Sequence, residues 1–276
     1  MENLRKEYLR RLGKQTAANI NKVSDNTASP FSTRTTVASE LLKILGWDLQ
    51  LSNYPENIGS VFVNETTRFV KDAFAQTGYL PPNAWMFLKG EDIGVFDEYE
   101  DLSRLERILG TRQDISLALG DLLRPDIVIG RYPLVATEMS TAIEAVFADD
   151  NVANGFPPQL SKQPHPRPIL HASISCKWTI RSDRSQNTRT EALNLIRNRK
   201  GHLPHIVAVT AEPLPTRIAT LALGTGDLDC VYHFALHELS ESLSAAENID
   251  QIDMLEMLIQ GRRLRDISDL PFDLAT

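Results

Sequence analysis

Residues 171–200 read HASISCKWTIRSDRSQNTRTEALNLIRNRK. The first part alternates. Leu170, Ala172, Ile174 and Cys176 fall on one face, and His171, Ser173, Ser175 and Lys177 on the other, which is the two-residue period of a strand. The spacing predicts a strand over about 169–178, with Ser175 and Lys177 together on its polar face. Arg181, Asp183 and Arg184 follow in what reads as a basic turn. A helix is predicted from about Thr188 to Arg199, with Ala192, Leu195 and Ile196 on its buried stripe and Glu191 near its start. Upstream, Pro125-Asp126 opens DIVIG (126–130), a continuous apolar run expected of a central strand buried on both faces. If the two strands are neighbours, Asp126 and Lys177 converge at one end of a sheet.

The rest of the chain is organised around that core. Residues 3–12 read as a helix with Leu4, Tyr8 and Leu12 on one stripe, followed by a polar loop over 14–33. Thr33 or Thr35 caps a second helix with Val37, Leu41, Ile44 and Leu45 inward, ended by Gly46. A third helix is predicted from about Ser60 to Thr77, with Phe62, Thr66, Phe69, Val70, Ala73 and Phe74 at helical spacing. Short helices are expected at 98–110 and 114–123, and a Pro- and Gly-containing stretch at 141–168. The sheet is expected to start at Asp126 and to add strands at 205–211 and 217–224. Amphipathic helices are expected at 233–246 and 250–261, then an irregular tail. The pattern is α/β, a mixed central sheet with helices on both sides. It is read as a single domain over 1–276, with an N-terminal helical part to about 124 and a core from about 125.

The bulk composition is that of a soluble globular protein: 276 residues, 42% apolar and 24% charged. No uninterrupted apolar run approaches a membrane span. Two cysteines, Cys176 and Cys230, cannot make a disulfide framework and read as reduced thiols of a cytoplasmic protein. The net charge of −7 argues weakly against a nucleic-acid partner. Between Lys177 and Lys200, however, seven basic residues meet two acidic ones, and uneven placement outweighs the total.

Those residue types suit phosphodiester hydrolysis. Magnesium takes hard oxygen ligands, typically one or two carboxylates plus water and phosphate. Asp126 and Glu191 are candidate ligands, and Lys177 can orient water or stabilise developing charge. Arginine bonds O6 and N7 of guanine bidentately and aspartate accepts from cytosine N4, so Arg181, Asp183 and Arg184 are candidate base readers. Each has a plainer reading when taken alone. Pro-Asp is a common turn, a strand-end lysine reaches for water, a first-turn glutamate complements the helix dipole, and clustered charges form surface ion pairs. The order and the strand context together carry the signal.

The segments HASISCKWTIRSDRSQNTRTEALNLIRNRKGHLPHIVAVTAEP (171–213), ALGTGDLDCVYHFAL (222–236) and GRRLRDISDLPFDLA (261–275) closely resemble the NgoMIV family of type II (IIF) restriction endonucleases, a CCGG-recognising group of the PD-(D/E)XK nuclease superfamily. The resemblance is strong there and weak in the N-terminal half. It implies a restriction-endonuclease-like fold and a variant active site on Asp126, Ser175, Lys177 and Glu191. Ser175 would stand where most relatives carry an acid, with Glu191 supplying that carboxylate from the helix. Two magnesium ions would be held by Asp126, with the backbone carbonyl of Cys176 completing the shell. The family's reader falls on Arg181, Asp183 and Arg184, implying a palindrome with a CCGG core. Cleavage before the first C to leave four-base 5′ overhangs, and a homo-oligomer (a dimer, or a tetramer built from two DNA-binding dimers) on double-stranded DNA, would follow.

Two departures stand out. The family's early-helix glutamate aligns with Val63, and Glu65 lies about 200° further round a helix. The loops expected to read the outer base pair carry Ser29, Pro30, Phe31 and Glu56, so that pair can differ from the G·C of GCCGGC. Two rival readings remain open from sequence: a DNA-binding protein with a damaged nuclease site, motivated by Val63, and a structure-specific nuclease, which would have no need of the arginine cluster.

Overall fold

The computed structural model describes residues 1–16, 33–47, 58–77, 84–91, 93–101, 124–132, 167–224 and 226–275, with backbone only at Thr16, Thr77 and 182–184. Its centre is a six-stranded sheet in sequential order. The strands are β1 (Trp85–Lys89), β2 (Ile127–Arg131), β3 (Ile169–Lys177), β4 (His205–Thr210), β5 (Cys230–His233) and β6 (Leu264–Asp266). The pairs β1–β2 and β2–β3 are antiparallel, and the remaining three are parallel. The helices are α1 (Glu2–Thr16), α2 (Thr33–Ile44), α3 (Ile58–Thr77), α4 (Ser182–Asn198), α5 (Pro215–Ala222), α6 (Leu236–Ala245), α7 (Ile249–Gln260) and α8 (Leu270–Asp273). The expected α/β architecture, a mixed sheet flanked on both sides, is present.

Each face of the sheet has its own core. Ile127, Ile129, Ile174, Cys176, Val207, Val209 and Tyr232 pack under α1, α3 and α8. Val128, Ile206, Ala208, Val231 and Leu264 pack under α4, α5, α6 and α7. Burial on both faces explains why DIVIG lacks polar alternation. It also buries the polar face expected of β3, since Ser173 and Ser175 are both enclosed. The alternation itself breaks at His171. Ile129 pairs with Ala172 but Gly130 with Leu170, so His171 is the extra residue of a β-bulge. Its ring packs against Trp85, centroids 4.8 Å apart, while Leu170 turns to the opposite core.

Several expectations fail for local reasons. The sheet does not start at Asp126; β1 precedes it, within the part expected to be helical. Residues 217–224 are not a strand but lie largely in α5, with Pro215 in its first turn. Ile218, Leu221 and Ala222 all face inward at helical spacing. The tail is not irregular: β6 completes the sheet and α8 packs on it. Ile44 stands exposed and does not join the α2 stripe of Val37 and Leu41. At 98–110 a 3₁₀ turn at Asp97–Tyr99 leads into helical residues 100 and 101, and residues 102–110 lie outside the described residues, as do 114–123, 141–166, 29–31 and 55–57.

Candidate active site

Antiparallel pairing of Ile127 with Ile174 sets Asp126 beside the last residues of β3. Its Oδ2 accepts from the Cys176 backbone N–H at 2.8 Å and from Lys177 Nζ at 2.9 Å. Both side chains remain open to solvent, 31% for Asp126 and 18% for Lys177. Among the described residues no hydrogen bond reaches Asp126 Oδ1. The strand end is braced from β4: Thr210 Oγ1 donates to the Lys177 carbonyl at 2.8 Å, and Ala211 N–H to the same oxygen at 3.3 Å.

Glu191 does not sit at a helix start. It lies mid-way along α4, because that helix begins at Ser182 and not near Thr188. The helix lays Thr188, Ala192 and Leu195 onto the sheet, all buried, and Glu191 shares that side. Thr188 and Ser175 join hydroxyls at 3.3 Å. Glu191 is half-buried, and its carboxyl titrates above the usual carboxylate range. Burial is the main cause, Lys177 opposes it, and the charge of Asp126 adds to it. The three groups are therefore in electrostatic contact. Among the described residues no hydrogen bond or ion pair holds the Glu191 carboxylate.

The donor set suits a hard divalent cation. No trio of His, Cys, Asp or Glu side chains among the described residues could hold a metal alone. Two carboxylates match magnesium, which fills its shell with water and phosphate. An unpartnered, partly desolvated carboxylate beside a second one is what such a cation would stabilise. The Cys176 thiol takes no part: it is buried, and burial followed by the nearby Asp126 charge holds it protonated.

Arg181, Asp183 and Arg184 do not form a separate turn. Arg181 is the extended N-cap of α4 and is exposed; Asp183 and Arg184 belong to the helix's first turn. Ser185 N–H donates to the Arg181 carbonyl at 2.9 Å. Just before them, Ile180 N–H donates to Glu212 Oε2 at 2.9 Å, and Glu212 pairs with Arg34. The sequence reading does not single out Thr188, Arg34 or Glu212. Thr188 could have been found three residues before Glu191 on the same stripe, whereas nothing in the sequence joins Arg34 to Glu212.

The early helix brings no acid to the site. Val63 packs against the core. Glu65 is buried and faces α1, accepting from Arg11 Nε at 2.8 Å and Gln15 Nε2 at 2.6 Å.

The profile of the NgoMIV restriction enzyme family matches residues 5–276. The chain is 43% identical over 224 residues to the type II restriction enzyme NgoMIV of Neisseria gonorrhoeae, covering 79% of this chain and 77% of that protein. Among solved structures, the type IIF restriction endonuclease Bse634I with cognate DNA overlaps 89% of this chain and 91% of its own, at 13% identity and a TM-score of 0.38. A PspGI–substrate DNA complex overlaps 99% and 90%, at 11% identity and a TM-score of 0.30. Structural likeness of that size fixes no residue; the profile and the sequence identity do the assigning. The chain belongs to the NgoMIV family of type II restriction enzymes, which are site-specific deoxyribonucleases.

Proposed function

We propose that the protein cuts both strands of a palindrome with a CCGG core, before the first C, leaving four-base 5′ overhangs, in a reaction that depends on Mg²⁺. The observation that carries this reading is the Asp126–Lys177 ion pair at 2.9 Å, whose charges reach Glu191, a carboxylate that no other group holds among the described residues. Asp126, Glu191 and the Cys176 carbonyl would hold the metal, with two ions per site expected from the family. When bound, Mg²⁺ supplies charge neutralisation at the phosphate and a more acidic water.

The chain's own groups do the rest. Asp126 keeps Lys177 extended toward the scissile position, where the ammonium orients water and offsets negative charge developing on the phosphate. Ser175, tied to Thr188, fixes α4 against β3 and so fixes Glu191. Arg181, Asp183 and Arg184 sit at the positive end of α4, where the helix dipole favours an approaching phosphate backbone. The arginines would read core guanines and the aspartate a cytosine. Because the site is a palindrome, the working form would be a homodimer, or a tetramer of two such dimers. The buried, unpaired Cys176 and Cys230 fit action in the cytoplasm.

Digestion of a known genome with and without Mg²⁺, followed by sequencing of the fragment ends, tests activity, site and stagger together. Ends carrying CCGG overhangs are expected. Ends without a common core, or cutting that is indifferent to chelator, would refute the reading.

A further inference from the structure

We propose that the buried Arg34–Glu212 pair is a positioning device for base reading: it sets where the reader segment Arg181–Arg184 begins. This rests on the reader assignment above. The link from β3 to α4 is short, residues 178–181, and Ile180 is its fixed point. The Ile180 side chain is buried at 2% exposure, its N–H donates to Glu212 at 2.9 Å, and its carbonyl accepts from Arg217 Nη1 at 3.2 Å. Glu212 is fully enclosed and Arg34 nearly so, at 0% and 3% exposure.

Glu212 is itself held. Its N–H donates to Thr210 Oγ1 at 3.1 Å, and its Oε1 accepts from Leu214 N–H at 3.3 Å. Thr210 Oγ1 in turn donates to the Lys177 carbonyl. One short segment at the end of β4 thus grips the backbone on both sides of the link, at Lys177 and at Ile180. The next residue, Arg181, is the exposed N-cap of α4, so slack at Ile180 passes directly into the reader turn. A buried ion pair gives little net stability compared with apolar residues of equal size. Bidentate reading, by contrast, fails with displacements of about 1 Å. The charged pair is better explained by the geometry it imposes than by the stability it adds.

The test uses the full chain and two duplexes, one with a CCGG core and one with a single core base pair changed. In Mg²⁺, the cognate-to-mismatch ratio of kcat/KM is measured for the unaltered protein, Glu212→Gln, Arg34→Met/Glu212→Met and Arg184→Ala. Glu212→Gln keeps shape and an acceptor for Ile180 N–H but weakens the bond. It should lower the ratio roughly tenfold through the cognate KM, with kcat at saturating cognate duplex held. The double variant removes the acceptor and should lower the ratio further; should it not fold, Glu212→Gln decides alone. An unchanged ratio in Glu212→Gln beside a lost one in Arg184→Ala overturns the device and leaves the reader standing. A parallel fall on both duplexes also overturns it, as a merely structural role would produce. An unchanged ratio in Arg184→Ala overturns the reader itself, and the device with it.

Discussion

Glu191 and Glu212 are both pushed up by burial, yet their surroundings differ completely. Glu212 is sealed from solvent and accepts from Arg34, Ile180 N–H and Leu214 N–H. Glu191 is half-open and, among the described residues, is held by nothing; it feels only the nearby charges of Lys177 and Asp126. A carboxylate whose acceptor sites are already used holds structure. One left unused beside a second carboxylate and a lysine is available to a cation and a phosphate. The difference separates the scaffold of this enzyme from its proposed chemistry.

The sharpest way to break that contrast is at the open corner. Asp126→Ala and Lys177→Ala should each reduce single-turnover cleavage of a CCGG duplex by roughly 10²–10⁴-fold. Lys177→Ala should keep specific binding in Ca²⁺, read by gel shift, because the readers are untouched. Normal cutting by Lys177→Ala would move the site elsewhere. On the sealed side, Glu212→Ala leaves Arg34 uncompensated and should cost about 3–5 kcal/mol of stability in urea unfolding. Glu191→Gln should change stability by less than about 1 kcal/mol while weakening cleavage, since it removes a charge that burial already disfavours. Equal destabilisation of the two variants would erase the distinction.

Acid sharpens it further. His233 is fully buried, and burial pushes its pKa down to about 4. Its Nδ1 accepts from Ala235 N–H at 3.2 Å, which a proton would forbid. The unfolded chain takes up that proton near pH 6.5 and the folded one only near 4. Stability is therefore full above pH 6.5 and falls by roughly 3 kcal/mol as pH drops through that window. Glu191 acts in the same direction on function: its raised pKa means that protons compete with metal, so the acid limb of cleavage should shift in Glu191→Gln. The effect on specificity is expected at the reader. Arg184→Ala should lose about 1–3 kcal/mol of discrimination at one core position, measured by competition between cognate and mismatched duplexes.

Local pattern made much of this legible. The α/β class, β3 and the juxtaposition of Asp126 with Lys177 follow from strand periodicity and the Pro-Asp start of DIVIG. The reading broke where tertiary context rules. Residues 217–224 look continuous enough for a strand, yet Pro215 and the spacing of Ile218, Leu221 and Ala222 suit a helix on the sheet's second face. β5 and β6 are four and three residues long, too short to show a period. The bulge at His171 reverses strand parity within an otherwise regular alternation. At the site, the first turn of α4 was hidden because Ser-Asp-Arg-Ser reads as a turn when no apolar stripe is present. Ion pairs such as Arg34–Glu212, 178 residues apart, leave no trace along the chain.

The most direct test of the central claim is Mn²⁺ binding, followed by electron paramagnetic resonance, to the Lys177→Ala protein on an uncut CCGG duplex. Tightly bound Mn²⁺ is expected, lost when Asp126→Asn is added and weakened when Glu191→Gln is added. Mn²⁺ binding that survives both changes would contradict the claim.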